Sequence, residues 1–256
     1  MRVGLIAATA LLALGACHPR QSNEQPVNAG PISAEPVTLE AADGVKIAGV
    51  YTKATHPKAL LLLFHQADSG KDEYALIAPR LAEAGYSSLR IDQRAGGTLF
   101  GVNETVKGLG WSTSYYQAKP DLEAALTWAQ DKNLPVILWG SSYSASLVFM
   151  VAADHPQKVR AVMAFSPGEY FSKPDMIAKA AAGVNVPVFV TSAQDGKEID
   201  AARAILKAVP VAGKEQFVPK LGGVHGSSTL LREKNPGGAE EAWKAVLAFL
   251  AGVTKG

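Results

Sequence analysis

The sequence predicts an α/β fold: a mostly parallel central sheet with helices on both faces, opened by an antiparallel hairpin. Three observations predict it. Apolar runs such as residues 59–65 and 135–138 are continuous rather than alternating, as strands buried on both faces require. Such runs alternate with helical patterns along the chain, which calls for parallel strands joined by crossovers. Asp43-Gly44, between the strand patterns at 37–40 and 45–51, is a tight-hairpin signal.

Before the folded domain the chain carries two other kinds of segment. Met1-Arg2 is followed by an almost wholly apolar stretch from Val3 to Ala16. A positive start and a short apolar stretch read as an export signal, too short for a membrane span of about 20 residues. The stretch ends in Leu14-Gly15-Ala16-Cys17, and Cys17 is the one cysteine of the chain. Residues 19–36 are polar and rich in Pro, Asn, Gln and Ser, the composition of a flexible tether. The expected organisation is a signal at 1–16, a tether at 17–36 and one α/β domain at 37–256. At 48% hydrophobic residues, a domain of about 220 residues has material for one core.

Within the domain the elements follow in order. After the hairpin comes the buried strand at 59–65, then a helix at 74–84 stopped by Gly85. A strand at 87–91 leads into a long connection, 95–119, containing glycines and the aromatics Trp111, Tyr115 and Tyr116. A helix at 121–130 precedes the apolar run 135–138. The second half alternates strand, helix, strand, helix, strand, helix at 159–165, 175–182, 186–192, 199–209, 216–221 and 239–251.

Charge and composition exclude several functions. With 25 Lys and Arg against 23 Asp and Glu, nothing in the charge balance favours nucleic acid as a partner. A single cysteine leaves no intramolecular disulfide and no cysteine-based metal site, and the five histidines form no ligand-spaced pair. No metal and no cofactor is expected. Ser69-Gly70-Lys71 lacks the upstream glycine of a phosphate loop.

The chemistry lies in Trp139-Gly140-Ser141-Ser142-Tyr143-Ser144, between the run 135–138 and the apolar helical stretch 145–153. A serine at the tip of a tight strand-to-helix turn is pushed out with its hydroxyl exposed, the geometry of a nucleophile elbow. Gly140 fits that turn; Ser144 stands where the motif has Gly. A serine hydroxyl needs a base, and the base an orienting carboxylate. Asp195 follows the strand pattern at 186–192 and His225 the one at 216–221, giving the chain order Ser, Asp, His. In open parallel sheets, sites form at the carboxyl ends of strands, where all three fall.

Residues from about 37 to 252 resemble the α/β-hydrolase superfamily. The resemblance rests on Gly140-Ser141-Ser142-Tyr143-Ser144, on Asp92-Gln93-Arg94-Ala95-Gly96-Gly97, on Ser192-Ala193-Gln194-Asp195 and on Val224-His225-Gly226, with Ser144 and Ala95 as departures from glycine. It implies Ser142 as nucleophile, His225 as general base and Asp195 as orienting acid, with the backbone N–H groups of Tyr143 and Gln66 as the oxyanion hole. Glu169, after the preceding strand, is the rival acid or a pocket residue. His65 is read as a loop-holding histidine or pocket residue, and Trp111 as a pocket wall.

Leu14-Gly15-Ala16-Cys17 likewise resembles the lipobox of bacterial lipoproteins, which implies cleavage before Cys17, lipidation of it and a lipid-anchored place in the bacterial envelope. The expected function is a serine hydrolase cleaving a carboxylic ester, or an amide or thioester, of a small molecule through an acyl-enzyme. The alternative is a binding lipoprotein on a hydrolase scaffold, to which Ser144 is the one pointer.

Overall fold

The computed structural model describes Met1 and residues 32–255. The expected signal, Cys17 and most of the tether lie outside them.

β1 (Ser33–Glu40) and β2 (Lys46–Lys53) form the antiparallel hairpin, with Leu39 opposite Ile47 across the Asp43-Gly44 turn. β1 begins at Ser33, inside the segment read as tether. Its edge position explains how Pro36 is accommodated there, since an edge strand need not donate on its outer side. β3 (Leu60–Phe64), β4 (Ser87–Ile91), β5 (Val136–Ser141), β6 (Ala161–Phe165), β7 (Val188–Thr191) and β8 (Lys214–Phe217) complete an eight-stranded sheet of order β1-β2-β4-β3-β5-β6-β7-β8. β2 is antiparallel to β4, and the strands from β4 onward are mutually parallel.

The helices pack on both faces. α3 (Lys119–Gln130) and α4 (Tyr143–Asp154) bury their apolar sides against strand residues that include Leu60, Leu62, Phe64 and Leu138, with α5 (Met176–Ala181) packed on α4 and α6 (Gly196–Ala208) on β7. α1 (Ile77–Glu83) and α7 (Ala239–Val253) cover the other face, where Leu61, Leu63, Ile137 and Trp139 point. The two-residue alternation of side chains therefore sends an unbroken leucine run into two cores, which is why it shows no polar period.

Several boundaries moved for local reasons. The helix expected at 74–84 splits into a 3-10 turn, Lys71–Tyr74, and α1. Pro79 has no N–H and its ring clashes with the carbonyl four residues back, so a helix running through from Tyr74 is interrupted. The long connection contains α2 (Glu104–Leu109), capped by Asn103 Oδ1 on Val106 N–H at 2.8 Å, and a 3-10 turn at Tyr115–Ala118.

The chain runs from β3 out to β4, then back across β3 to β5. The connections on either side of β3 therefore leave in opposite directions, opening a crevice at the carboxyl ends of β3 and β5.

Candidate active site

The elbow sits at that crevice. Ser142 adopts φ 59° and ψ −122°, a conformation rare for a residue with a side chain and a mark of strain held in place by its surroundings. Its N–H donates to Phe165 O of β6 at 2.8 Å. A Cβ on Gly140 would lie 2.3 Å from Ser144 O, so the turn tolerates only glycine there.

Ser144 is integrated rather than merely tolerated. Its Oγ accepts the Ser141 N–H at 2.8 Å, and its hydroxyl proton is shared between Phe64 O at 2.7 Å and Ser141 O at 2.9 Å. A glycine would leave the Ser141 N–H without that partner. The other departure, Ala95, is buried, and its carbonyl accepts the Tyr143 hydroxyl at 2.7 Å.

His225 follows β8 in a loop tied once to the elbow strand and once to the end of β6. Gly226 N–H donates to Ser166 Oγ at 2.9 Å and Ser227 N–H to Ser141 Oγ at 2.9 Å. Gly226 has φ 67°, and a Cβ there would lie 2.4 Å from Ser141 Oγ, so close approach again requires glycine. These tethers bring His225 and Ser142 to one corner. Among the described residues their side chains make no direct hydrogen bond to each other; the Nδ1 side of the imidazole faces Glu198.

The carboxylate facing the imidazole is Glu198, and this corrects the expectation for Asp195. His225 Nδ1 lies 2.8 Å from Glu198 Oε1, and Glu198 Oε2 accepts the Ala193 N–H at 3.1 Å. Asp195 is instead the N-cap of α6, with Oδ1 accepting the N–H of Lys197 at 3.0 Å and of Glu198 at 3.2 Å. Asp195-Gly196-Lys197-Glu198 has the spacing of a capping box, but the glutamate turns away from the helix start and into the site. Burial pushes Glu198 up, but hydrogen bonds from His225, Ser166 and Ala193 outweigh it and hold the carboxyl at about 2. The Glu198 hydrogen bond raises His225 above its ordinary 6.5 against the opposing effect of burial.

A second carboxyl was missed. Glu73 is buried in the 3-10 turn after β3. Its Oε1 accepts Ser141 Oγ–H at 2.6 Å and its Oε2 accepts Gln66 N–H at 2.7 Å. Burial raises it to about 7, against the lowering effect of those bonds and of His225. Glu73 joins the β3 loop, the elbow strand and, through Ser141 Oγ, the His225 loop. No motif announces it; its place follows only from the tertiary meeting of the three.

This bond revises the oxyanion assignment. Gln66 N–H is committed to Glu73, whereas the next amide, Ala67 N–H, makes no hydrogen bond among the described residues. Tyr143 N–H lies at the first position of α4, where amides have no intrahelical acceptor and the helix dipole favours negative charge. Its side chain is locked below by Gln93 Nε2, which donates to the hydroxyl at 2.8 Å.

The remaining expectations resolve individually. His65 is fully buried, its Nε2 accepting Gln93 N–H at 2.9 Å and its Nδ1–H donating to Gln66 O at 2.7 Å; burial lowers it to about 4, so it is a neutral clip between two loops and not a pocket residue. Glu169 caps α5, accepting from Ile177 N–H at 2.9 Å and Ala178 N–H at 2.8 Å, and so neither pairs with His225 nor lines the pocket. Trp111 is 59% exposed and lines none of the cavities described here. Asp92 and Arg94 are framework: Asp92 accepts from Lys71 and Glu104, while Arg94 bridges Asp43 and Asp121. Among the described residues no cluster of His, Cys, Asp or Glu has the arrangement of a metal site, and no helix is long and apolar enough to cross a membrane.

Comparison with solved structures agrees with this architecture. A dienelactone hydrolase from Anabaena variabilis superposes with a TM-score of 0.67 at 17% identity, covering 86% of this chain and 97% of that one. A thermostable carboxyl esterase from Bacillus coagulans gives 0.66 at 10% identity, covering 88% and 100%. An esterase from Pyrococcus furiosus gives 0.64 at 16%, covering 86% and 90%. At these identities the likeness establishes the α/β-hydrolase fold. No curated protein matches the chain in sequence. The family described as serine aminopeptidase, S33 (Hydrolase_4) matches residues 55–215, a span that holds β3, the turn with Ser142 and the start of α6. The chain belongs to that family of hydrolases.

Proposed function

We propose that this protein hydrolyses carboxylic esters of small molecules through an acyl-enzyme. Ser142 Oγ attacks the ester carbonyl as His225 Nε2 takes its proton, and Glu198 steadies the imidazolium through Nδ1. The N–H groups of Tyr143 and Ala67 receive the oxyanion. The imidazolium then protonates the departing alcohol, and a water activated by His225 releases the acid. The observation carrying this reading is the His225–Glu198 pair at 2.8 Å on a loop bonded to Ser141, beside the strained Ser142, and to Ser166 at the end of β6.

An ester is favoured over a peptide with a free amino terminus, despite the family's description. Recognising an α-ammonium calls for a free carboxylate near the nucleophile. The two carboxyls closest to the elbow and the histidine are engaged, Glu198 with His225 and Glu73 with Ser141 and Gln66, which leaves neither free to hold an ammonium group. Amides and thioesters share the same tetrahedral chemistry and remain within its reach. The binding-protein alternative drew on Ser144, whose hydroxyl has a structural place in the elbow.

The reading includes its location: cleavage before Cys17 and lipidation of that residue would hold the domain on the bacterial envelope by a tether. The lipobox-like Leu14-Gly15-Ala16-Cys17 supports this. Cys17→Ser should shift the full chain from the membrane fraction to the soluble fraction. For the chemistry, Ser142→Ala should abolish both hydrolysis of p-nitrophenyl acetate and labelling by a fluorophosphonate probe. Undiminished activity in that variant refutes the assignment.

A further inference from the structure

A cavity of about 430 Å3 lies between the 3-10 turn of the long connection and the segment after β6. Its walls are Tyr115, Tyr116, Tyr170, Phe171 and Met176, and Lys173 is its one charged lining residue. Two contacts place it against the nucleophile. Tyr170 donates its hydroxyl to Ser166 O at 2.9 Å and lies beside the Ser142 side chain. Tyr115 stacks on the ring of Tyr143, centroids 4.6 Å apart and planes at 15°, and Tyr143 is the residue after Ser142.

The aromatic walls are under-used by the fold. Tyr115, Tyr116 and Tyr170 keep 39%, 48% and 39% of their surface exposed. Aromatic side chains gathered around a concavity, with a few polar groups among them, are the usual lining of a small-molecule site. Tyr116 and Phe171 meet edge to face, 6.0 Å apart at 74°, forming a corner whose free faces and edges are open to a third ring. Met176 adds a polarisable sulfur suited to aromatic contact. A dry cavity of about 150 Å3 already holds benzene, so this one takes a ring with a short linker. With Lys173 as the one charged wall residue, a cationic group finds no counter-ion there.

From this geometry we infer that the cavity is the specificity pocket of the site and receives a planar aromatic group of the ester. The inference rests on the reading of Ser142 as the nucleophile of an esterase. The ring can belong to the alcohol or to the acyl half, since either can extend from the carbonyl held at Ser142.

The test separates ring from bulk and alcohol from acid. In one arm, kcat/KM is measured for benzyl acetate against cyclohexylmethyl acetate; in the other, for ethyl phenylacetate against ethyl cyclohexylacetate. One arm should favour the aromatic member by roughly three- to tenfold, the range an aromatic pair adds beyond its area. Tyr116→Leu, at a half-exposed position, should bring that ratio close to one, while Tyr116→Phe keeps it. Ratios near one in both arms, or a ratio untouched by Tyr116→Leu, overturn the pocket.

A binding measurement keeps the two readings apart. Saturation-transfer NMR with N-benzylacetamide, against N-(cyclohexylmethyl)acetamide, should show ring contact with the wild-type protein that Tyr116→Leu removes. Ring contact without fluorophosphonate labelling leaves the pocket standing and the esterase reading refuted. Labelling without ring contact does the reverse.

Discussion

Glu198 Oε1 lies 2.8 Å from His225 Nδ1, while Asp195, three residues earlier, spends its carboxylate on the first amides of α6. Two acids of one loop thus hold distinct posts, one facing the imidazole and one closing a helix.

Substitution separates them. Glu198→Gln should lower kcat by about 10²- to 10⁴-fold, because an amide neither fixes the tautomer nor stabilises the imidazolium. It also removes the leading cause of the raised His225, so the acid limb of the pH profile should move to lower pH. Asp195→Asn should leave kcat within a few-fold and cost about 1 kcal/mol or less, since Asn caps helices nearly as well. Steady-state kinetics and urea melts on the two variants check both; a crippled Asp195→Asn beside a healthy Glu198→Gln would restore the original assignment.

That exchange of roles shows where sequence reasoning stopped. The sheet, the elbow and the His225 loop were legible because each depends on local pattern: leucine runs, Gly140 before Ser142, glycines around His225. The choice between Asp195 and Glu198 depends on which way two side chains turn within one helical turn, and capping chemistry suits both. Gln66 follows β3, where an oxyanion donor is expected, but whether its amide is free depends on Glu73, which arrives from a turn further along the chain. Glu169 is a carboxyl after a strand, the position of an alternative acid, but the first amides of α5 claim it. Contacts between segments decide these cases, and local patterns do not encode them.

Ser144 offers a stability prediction. Ser144→Ala leaves the buried Ser141 N–H without its 2.8 Å acceptor and Phe64 O without one donor. Loss of a partner for a buried donor costs about 1–3 kcal/mol. Urea denaturation should show a loss in that range with an unchanged m-value. A variant as stable as the parent would mean that the amide finds another acceptor and that the hydroxyl is incidental.

Gly226→Ala tests how closely the histidine loop must approach the elbow. The added methyl meets Ser141 Oγ at 2.4 Å, and the backbone stands at φ 67°. Relief requires the loop to withdraw, carrying His225 with it. A misplacement of about 1 Å at a catalytic group can cost about 10²-fold in rate. The variant should therefore lose kcat by about that factor while still binding N-benzylacetamide, because the aromatic cavity lies on other segments. Retained kcat would show that the His225 loop tolerates displacement.

Glu73 gives the last prediction, with its sign fixed by linkage. Burial raises the folded carboxyl to about 7 from its ordinary 4.5. Between those values the native state holds a proton that the unfolded chain has released. Stability therefore falls as pH rises from about 4.5 through 7, and by pH 8 the loss is on the order of 3 kcal/mol. Glu73→Gln removes this titration while keeping an acceptor for Ser141 or Gln66. Its unfolding free energy relative to the parent should improve by roughly that amount between pH 5 and pH 8. His225 titrates in the same window, contributing stability below 6.5 that fades as pH rises through its raised folded value; Glu198 is the leading cause of that rise and Glu73 the smallest, so Glu73→Gln trims this contribution without removing it. Parallel stability curves for parent and variant would mean that Glu73 enters the fold already ionised, bound by Ser141 and Gln66 strongly enough to offset its burial.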